Sequence, residues 1–183
     1  EALPSIAAIS RMSITSRPHH EAIGLKAVVE SGLIKEISKA GSAAGTRIEV
    51  RDLFYNVPAR LKFARSKRVE TAEIERLIKA YAFIHHDISW TLFTDERLVF
   101  SCAQDLSESL VDRGEALLGK ETSGYLYDFQ AHTDLLSIKG IMGAPHISRR
   151  DARGMVIFVN NRLVMDKKLI MALKTAFYTV LEV

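Results

Sequence analysis

The residues of this chain best suited to hold a charged partner are its arginines and lysines, because a guanidinium or ammonium offers several N–H donors to phosphate oxygens at once. Two runs concentrate them: Arg60, Lys62, Arg65, Lys67 and Arg68, then Arg149, Arg150 and Arg153. A third set, Arg162 with Lys167 and Lys168, follows the pair Asn160-Asn161. The formal net charge is only +3 over 183 residues, so affinity for a polyanion depends on where cations cluster rather than on their total. Either of the first two runs, taken alone, reads first as solvated surface. Other chemistry is thinly represented. His19 and His20 fall in a loop, and His85, His86 and Asp87 close a helix, where imidazoles suit the negative end of the dipole more than a metal. Cys102, the single cysteine, alternates with Leu98 and Phe100 and reads as a core residue; it also excludes an internal disulfide. There is no C-x-x-C, no H-E-x-x-H and no Walker-type phosphate loop.

The elements that must position these groups follow from periodicity. A 48% hydrophobic chain of this length supports one domain or two small ones. No run approaches the ~18 apolar residues of a membrane span, and the start lacks the pattern of a signal peptide. A cytoplasmic compartment, or a nuclear one in a eukaryote, is expected. Leu3, Ile6 and Ile9 predict a short helix entered at Glu1. Met12 and Ile14, residues 22–29 and 33–38 around Ser31-Gly32, and Ile48 with Val50 predict an antiparallel meander. Ser66 should cap a helix whose Ile74, Leu77, Ile78 and Tyr81 form a stripe that packs on that sheet. A hairpin over 88–93 and 97–102 completes a first unit ending near Ala103.

A second unit is expected to open with a capping box at Asp105 and Glu108 ahead of Leu110, Val111, Leu117 and Leu118, with Gly119 as the stop. Strand character returns at 125–130 and 135–142, and residues 144–153 read as a polar, basic loop. Residues 155–159 and 162–164 flank an Asn160-Asn161 turn, and Asp166 should cap a final helix with Leu169, Ile170, Leu173, Ala176, Phe177, Val180 and Leu181 on one stripe. A helix starting at residue 1 and another still running at Val183 suggest a chain cut at both ends. Such a cut would leave a sheet edge and an apolar face uncovered.

Three segments together resemble the MutL family of DNA mismatch repair proteins. Glu1-Ala2-Leu3-Pro4-Ser5-Ile6 is similar to the second half of G-F-R-G-E-A-L. Gly45-Thr46 followed by Asp52-Leu53-Phe54-Tyr55-Asn56-Val57-Pro58-Ala59-Arg60 is similar to G-T followed by D-L-F-x-N-x-P-A-R, and Phe158-Val159-Asn160-Asn161-Arg162 is similar to F-V-N-x-R. The nine-residue middle segment carries most of the specificity. The resemblance implies an α+β fold: the C-terminal part of a GHKL-type α/β sandwich with a mixed sheet over 1–103, then a truncated domain over 104–183 similar to domain 2 of ribosomal protein S5. It implies a parent protein that binds and hydrolyses ATP with Mg²⁺, dimerises on ATP, clamps DNA and signals to other mismatch repair proteins.

What the resemblance implies for sites can be stated residue by residue. The turn into Glu1, Ala2 and Leu3 would face ATP phosphates through unpaired N–H groups, with Glu1 serving the helix dipole rather than acting as a base. Gly45 would allow close backbone approach, and the Thr46 hydroxyl would meet the base or its bound water. Phe54 and Tyr55 should bury, Asn56 should cap, and Pro58 should open a helix. Arg162, Lys167 and Lys168, and Arg149, Arg150 and Arg153, are the candidate DNA phosphate contacts, which carry no base information. The general-base Glu, the Mg²⁺-binding Asn, the D-x-G-x-G adenine motif and the later lysine loop of this superfamily do not occur in the chain. These 183 residues alone are therefore expected neither to hydrolyse ATP nor to bind it tightly. Two other readings stay open: a type II topoisomerase ATPase subunit, against which residues 53–60 argue, and a nucleic-acid-binding module with S5-like topology and no ATPase ancestry.

Overall fold

The computed structural model describes residues 1–105, 109–147 and 154–177. The chain divides into two compact units, Glu1–Ser66 and Lys67–Val183. The first begins with helix α1, Ala2–Ala7. Its four strands are β1, Arg11–Arg17, β2, Gly24–Glu30, β3, Leu33–Ala40, and β4, Gly45–Arg51. They pair wholly antiparallel in the order β3-β2-β1-β4. The mixed sheet expected is therefore antiparallel throughout here, and the simple meander is broken because β4 returns to the free edge of β1 instead of continuing from β3.

Register divides the chemistry of this sheet between its faces. Met12, Ile14, Ala27, Val29, Ile48 and Val50 stand opposite one another across three strands and so share one face. Ile34 and Ile37 join them although they are three residues apart. A bulge opposite Val28 and Val29 absorbs the extra residue. Met12 is buried, but Ile34, Ile37, Ile48 and Val50 remain exposed. The other face alternates Arg11, Glu30, Glu36, Arg47, Glu49 and Arg51.

After β4 the chain turns back to α1 through residues 52–57, with Asp52 and Phe54 both at positive φ. Helix α2, Pro58–Leu61, starts with Pro58 in its first turn, but its cap residue is Val57, not Asn56. Nor do both aromatics bury: Phe54 is half-buried, and Tyr55 lies at the surface with its hydroxyl 2.6 Å from Ser31 Oγ. The reason in both cases is that Asn56 and Tyr55 are committed to distant partners rather than to their own helix.

The second unit contains α3, Lys67–Ile84, the hairpin of β5, Trp90–Thr94, with β6, Arg97–Cys102, and α4, Leu110–Leu118. Its core holds Ala82, Phe100, Cys102 and Leu117, with Ile78, Phe83, Trp90 and Leu92 packed against them. Ile78 of the expected stripe thus packs, while Ile74 and Leu77 stay exposed, because the two-stranded hairpin beneath α3 covers only a narrow strip. Helix α4 is capped by Ser109, whose side chain accepts from the Asp112 amide at 3.2 Å. That displaces the expected cap at Asp105; Glu108 lies outside the described residues. The hairpin of β7, Leu126–His132, and β8, Ser137–Gly143, packs on α4. Gly114 makes this approach possible: a Cβ there would collide with Ile141 Cδ1.

One charged side chain ties this unit together. Arg113 on α4 is 2% exposed. It donates to the carbonyl oxygens of Ala82 at 2.8 Å, Ile88 at 2.9 Å and His85 at 3.4 Å, and to that of Ala103. The guanidinium thereby serves the last turn of α3, whose terminal carbonyls have no partner within the helix. This staple ties α3 and β5–β6 to α4 within the second compact unit, across the position near Ala103 where the first hairpin-completed unit is expected to end.

Candidate functional site

Two regions hold the residues singled out from sequence. In the first unit, Gly45 opens β4 at φ +123, with nothing within 4 Å of where a Cβ would stand. That conformation is one glycine adopts freely, and the space beside it is open to a ligand. Thr46 pairs with Ser16 of β1, and their hydroxyl oxygens lie 2.8 Å apart. Register sets Thr46 and Ser16 on the same face as Met12, Ile14, Ile48 and Val50. A polar pair at the end of an exposed apolar face can bond the edge of a planar heterocycle whose ring lies against that face.

A cleft of about 530 Å³ lies nearby, formed by residues 40–47 with Thr15 and Lys26. Thr15 and Lys26 stand opposite each other on the charged face of the sheet, the reverse of the face that carries the Thr46 hydroxyl. Concavity and hydroxyl pair therefore lie on opposite sides, and the chemistry favours the apolar side. The cleft's lining includes Gly45 and Thr46 but none of Glu1, Ala2 and Leu3.

Helix α1 starts at Ala2 with Glu1 at its cap position. The Glu1 side chain makes no capping bond; its carbonyl oxygen accepts instead from the Ser5 amide at 3.3 Å and hydroxyl at 2.9 Å. The expected service of the Glu1 carboxylate to the first N–H groups is thus corrected: the side chain is exposed and makes no capping bond. Glu1, Ala2 and Leu3 are all exposed. On the charged face, the Arg47 guanidinium holds the Glu49 carboxyl below the usual carboxylate range, helped by the Ser13 hydroxyl and by Arg51.

In the second unit, β9, Ile157–Val159, and β10, Arg162–Val164, form a hairpin closed by Asn160 and Asn161 at φ 48 and 62. Two consecutive left-handed residues are the signature of a type I′ turn, which asparagine tolerates. Phe158 turns toward α3, its ring centroid 6.3 Å from that of Tyr81 in an edge-on contact. Arg162 pairs with Val159, one residue out of phase with Phe158, so alternation directs it to the outer face. It is exposed. Helix α5, Lys167–Phe177, follows at once, and Asp166 Oδ1 accepts from the amides of Lys168 at 2.8 Å and Leu169 at 3.0 Å. Lys167 and Lys168 are exposed in its first turn, where their charge opposes the dipole and the Asp166 carboxylate offsets it. No ion pair among the described residues engages Arg162, Lys167 or Lys168. Arg149, Arg150 and Arg153 lie outside the described residues. Of the earlier basic run, Lys67 is spent on Asp95 at 2.8 Å.

Among the described residues, no three His, Cys, Asp or Glu side chains gather as a metal site, and no helix is long and apolar enough to cross a membrane. Cys102 is buried in the core as expected. The group that sequence reasoning missed is the set of donors around the C-terminal end of α1, supplied by Ser31, Gly32, Phe54 and Asn56. No local pattern marks it, since its partners are more than twenty residues away.

Residues 115–183 match the family described as the C-terminal domain of the DNA mismatch repair protein. The chain is 37% identical over 177 residues, 96% of its length, to the DNA mismatch repair protein MutL of Clostridium acetobutylicum, and 38% identical over 97% of its length to that of Syntrophobacter fumaroxidans. It spans 28% and 26% of those relatives' own lengths. Among solved structures, the Aquifex aeolicus MutL ATPase domain complexed with ADP superposes with a TM-score of 0.77 at 30% identity, covering 95% of this chain and 66% of that one.

Proposed function

We propose that this chain, which belongs to the MutL family of DNA mismatch repair proteins, contributes part of an ATP-driven DNA clamp that couples mismatch recognition to downstream repair enzymes. The observation that carries the reading is the match of 95% of the chain to a MutL ATPase domain that holds ADP. Residues 1–103 then belong to the ATPase domain and residues 104–183 to the S5-like domain, a division compatible with a family match that begins at residue 115.

The residues present fit an adenine nucleotide at one end of the first sheet. Gly45 leaves the backbone open, the Thr46 and Ser16 hydroxyls offer donors and acceptors, and the apolar face beside them offers a dry surface. The turn into Glu1, Ala2 and Leu3 serves the phosphates through backbone N–H groups. When bound, ATP supplies the phosphoryl group whose hydrolysis times the clamp. For Mg²⁺ the described residues offer no carboxylate or imidazole cluster, so no step is assigned to it. Arg162, Lys167 and Lys168 act on the other unit as contacts to DNA phosphates without reading sequence. Arg149, Arg150 and Arg153 extend that set in this reading. Association of two copies on ATP binding encloses the DNA, and other mismatch repair proteins read the closed state.

The test is titration of ADP into the full-length protein and its Gly45→Val variant. A side chain at φ +123 is strained and enters the open space, so affinity should fall at least about tenfold. Equal affinity would show that the nucleotide is held elsewhere.

A further inference from the structure

Helix α1 is only six residues long, too short to hold its own orientation. What fixes it lies at its other end. Four consecutive carbonyl oxygens, from the last residue of the helix through the three that follow, each accept a bond from elsewhere in the unit. Gly32 N–H donates to Ala7 at 2.9 Å, Asn56 Nδ2 to Ala8 at 2.9 Å, Phe54 N–H to Ile9 at 2.7 Å and Ser31 N–H to Ser10 at 3.3 Å. Asn56 Nδ2 also reaches Ser31 Oγ at 3.2 Å, which links the two donor segments to each other. The loop is further tethered by Arg11, which donates to Asp52 Oδ2 at 2.7 Å and lies 4.5 Å over the Tyr55 ring.

The loop itself is strained. Asp52 and Phe54 sit at φ 50 and 67, left-handed conformations that cost a non-glycine residue free energy and persist only where surrounding contacts over-determine them. The strain aims the Phe54 amide and the Asn56 amide group at α1. The geometry points to residues 52–56 and the Ser31-Gly32 turn as a latch that positions α1, with Asn56 as the positioning residue through which it acts on the nucleotide. This rests on the reading that the start of α1 serves the phosphates. Asn56 touches no reacting atom; it sets where the helix start lies.

The test is made on the full-length protein with Asn56→Asp, which keeps the side chain's size and replaces the donor facing the Ala8 oxygen with a second acceptor. A positioning role raises KM for ATP about tenfold with kcat held within about twofold, whereas a merely structural role lowers the active fraction, and so kcat, at unchanged KM. Unchanged KM in a protein that binds ADP would overturn the latch. Should the variant fail to fold, amide exchange in the wild type decides: ADP should slow the Gly32 and Phe54 amides together with those of Ser5 and Ala8. Protection of Ser5 and Ala8 alone would overturn the latch. Absence of ADP binding to the wild type would overturn the nucleotide reading itself, and this inference with it.

Discussion

Replacing Arg113 with methionine should cost the Lys67–Val183 unit a large part of its stability. The guanidinium is 2% exposed and donates to four carbonyl oxygens, two of them, Ala82 and His85, at the end of α3. His85 also accepts the Trp90 indole N–H at 3.2 Å, so it loses least. Methionine fills similar volume but donates nothing. Each buried acceptor left without a donor costs about 1–3 kcal/mol. Local opening lets water reach some of them, and the guanidinium no longer has to be desolvated, so the total should be about 3–5 kcal/mol, the low end of that sum. Against a stability of about 5–15 kcal/mol for a domain, that is decisive. Trp90 is the single tryptophan and shares a carbonyl with Arg113, so its fluorescence in urea reports this region directly. The midpoint should fall with an unchanged slope. Arg113→Lys keeps the charge but loses the planar fork, and should lie between the two. Methionine within about 0.5 kcal/mol of wild type would refute the reasoning: desolvation of the guanidinium would then cancel all four bonds.

Three further outcomes follow from the same geometry. Gly114→Val should destabilise by about 2–3 kcal/mol, because even a Cβ there collides with Ile141 Cδ1 and stands 3.1 Å from Leu126 Cδ1; thermal unfolding checks it, and an unchanged midpoint would mean that α4 sits farther from β7–β8. The Glu49 carboxyl is held below its ordinary range chiefly by Arg47. Its contribution to stability is therefore present above the unfolded carboxylate value and lost as pH falls through the lower folded one. The stability gap between wild type and Arg47→Gln should accordingly shrink between neutral pH and acid pH, and a constant gap would remove the ionic explanation. Arg162→Glu in the full-length protein should weaken DNA binding and lower the salt slope by about one unit or slightly more; identical slopes would assign Arg162 to the hairpin alone.

Local signals proved legible where chemistry and partner are close in the chain. Ser31-Gly32, Asp95-Glu96 and Asn160-Asn161 all take two successive positive φ angles, the requirement of a tight hairpin turn, and these turn pairs, with alternation around Asp95-Glu96 and an apolar run before Asn160, located the six strands they join. Asp166 caps α5 as its position next to an apolar stripe predicted. The misses share one cause. Asn56 looks like a cap beside Pro58, yet its donor goes to a carbonyl 48 residues back. Arg113 carries no mark in the sequence, because its partners are 10 to 31 residues away. Ile74 and Leu77 lie on the stripe yet stay exposed. Periodicity reports which side of an element is apolar; it does not report what stands across from it.

The same distinction governs the cations, and it narrows the candidate DNA surface. Counted in sequence, the long basic run over residues 60–68 is the densest concentration of positive charge. In three dimensions Lys67 is engaged by Asp95 at two oxygens, and elsewhere Arg11 is engaged by Asp52 and Glu30, Arg47 by Glu49, and Arg113 by main-chain oxygens. A cation already matched by a carboxylate gains little by turning to a phosphate, because it must give up the first partner. Arg162, Lys167 and Lys168 face no such exchange among the described residues, and Arg162 sits on a hairpin held against α3 by the Phe158 and Tyr81 rings. A rigid mount limits the side-chain ordering still needed on binding. The hairpin and the start of α5 are therefore where substitutions should change the salt dependence of DNA binding, and Lys67 of the longer basic run is where they should change it least.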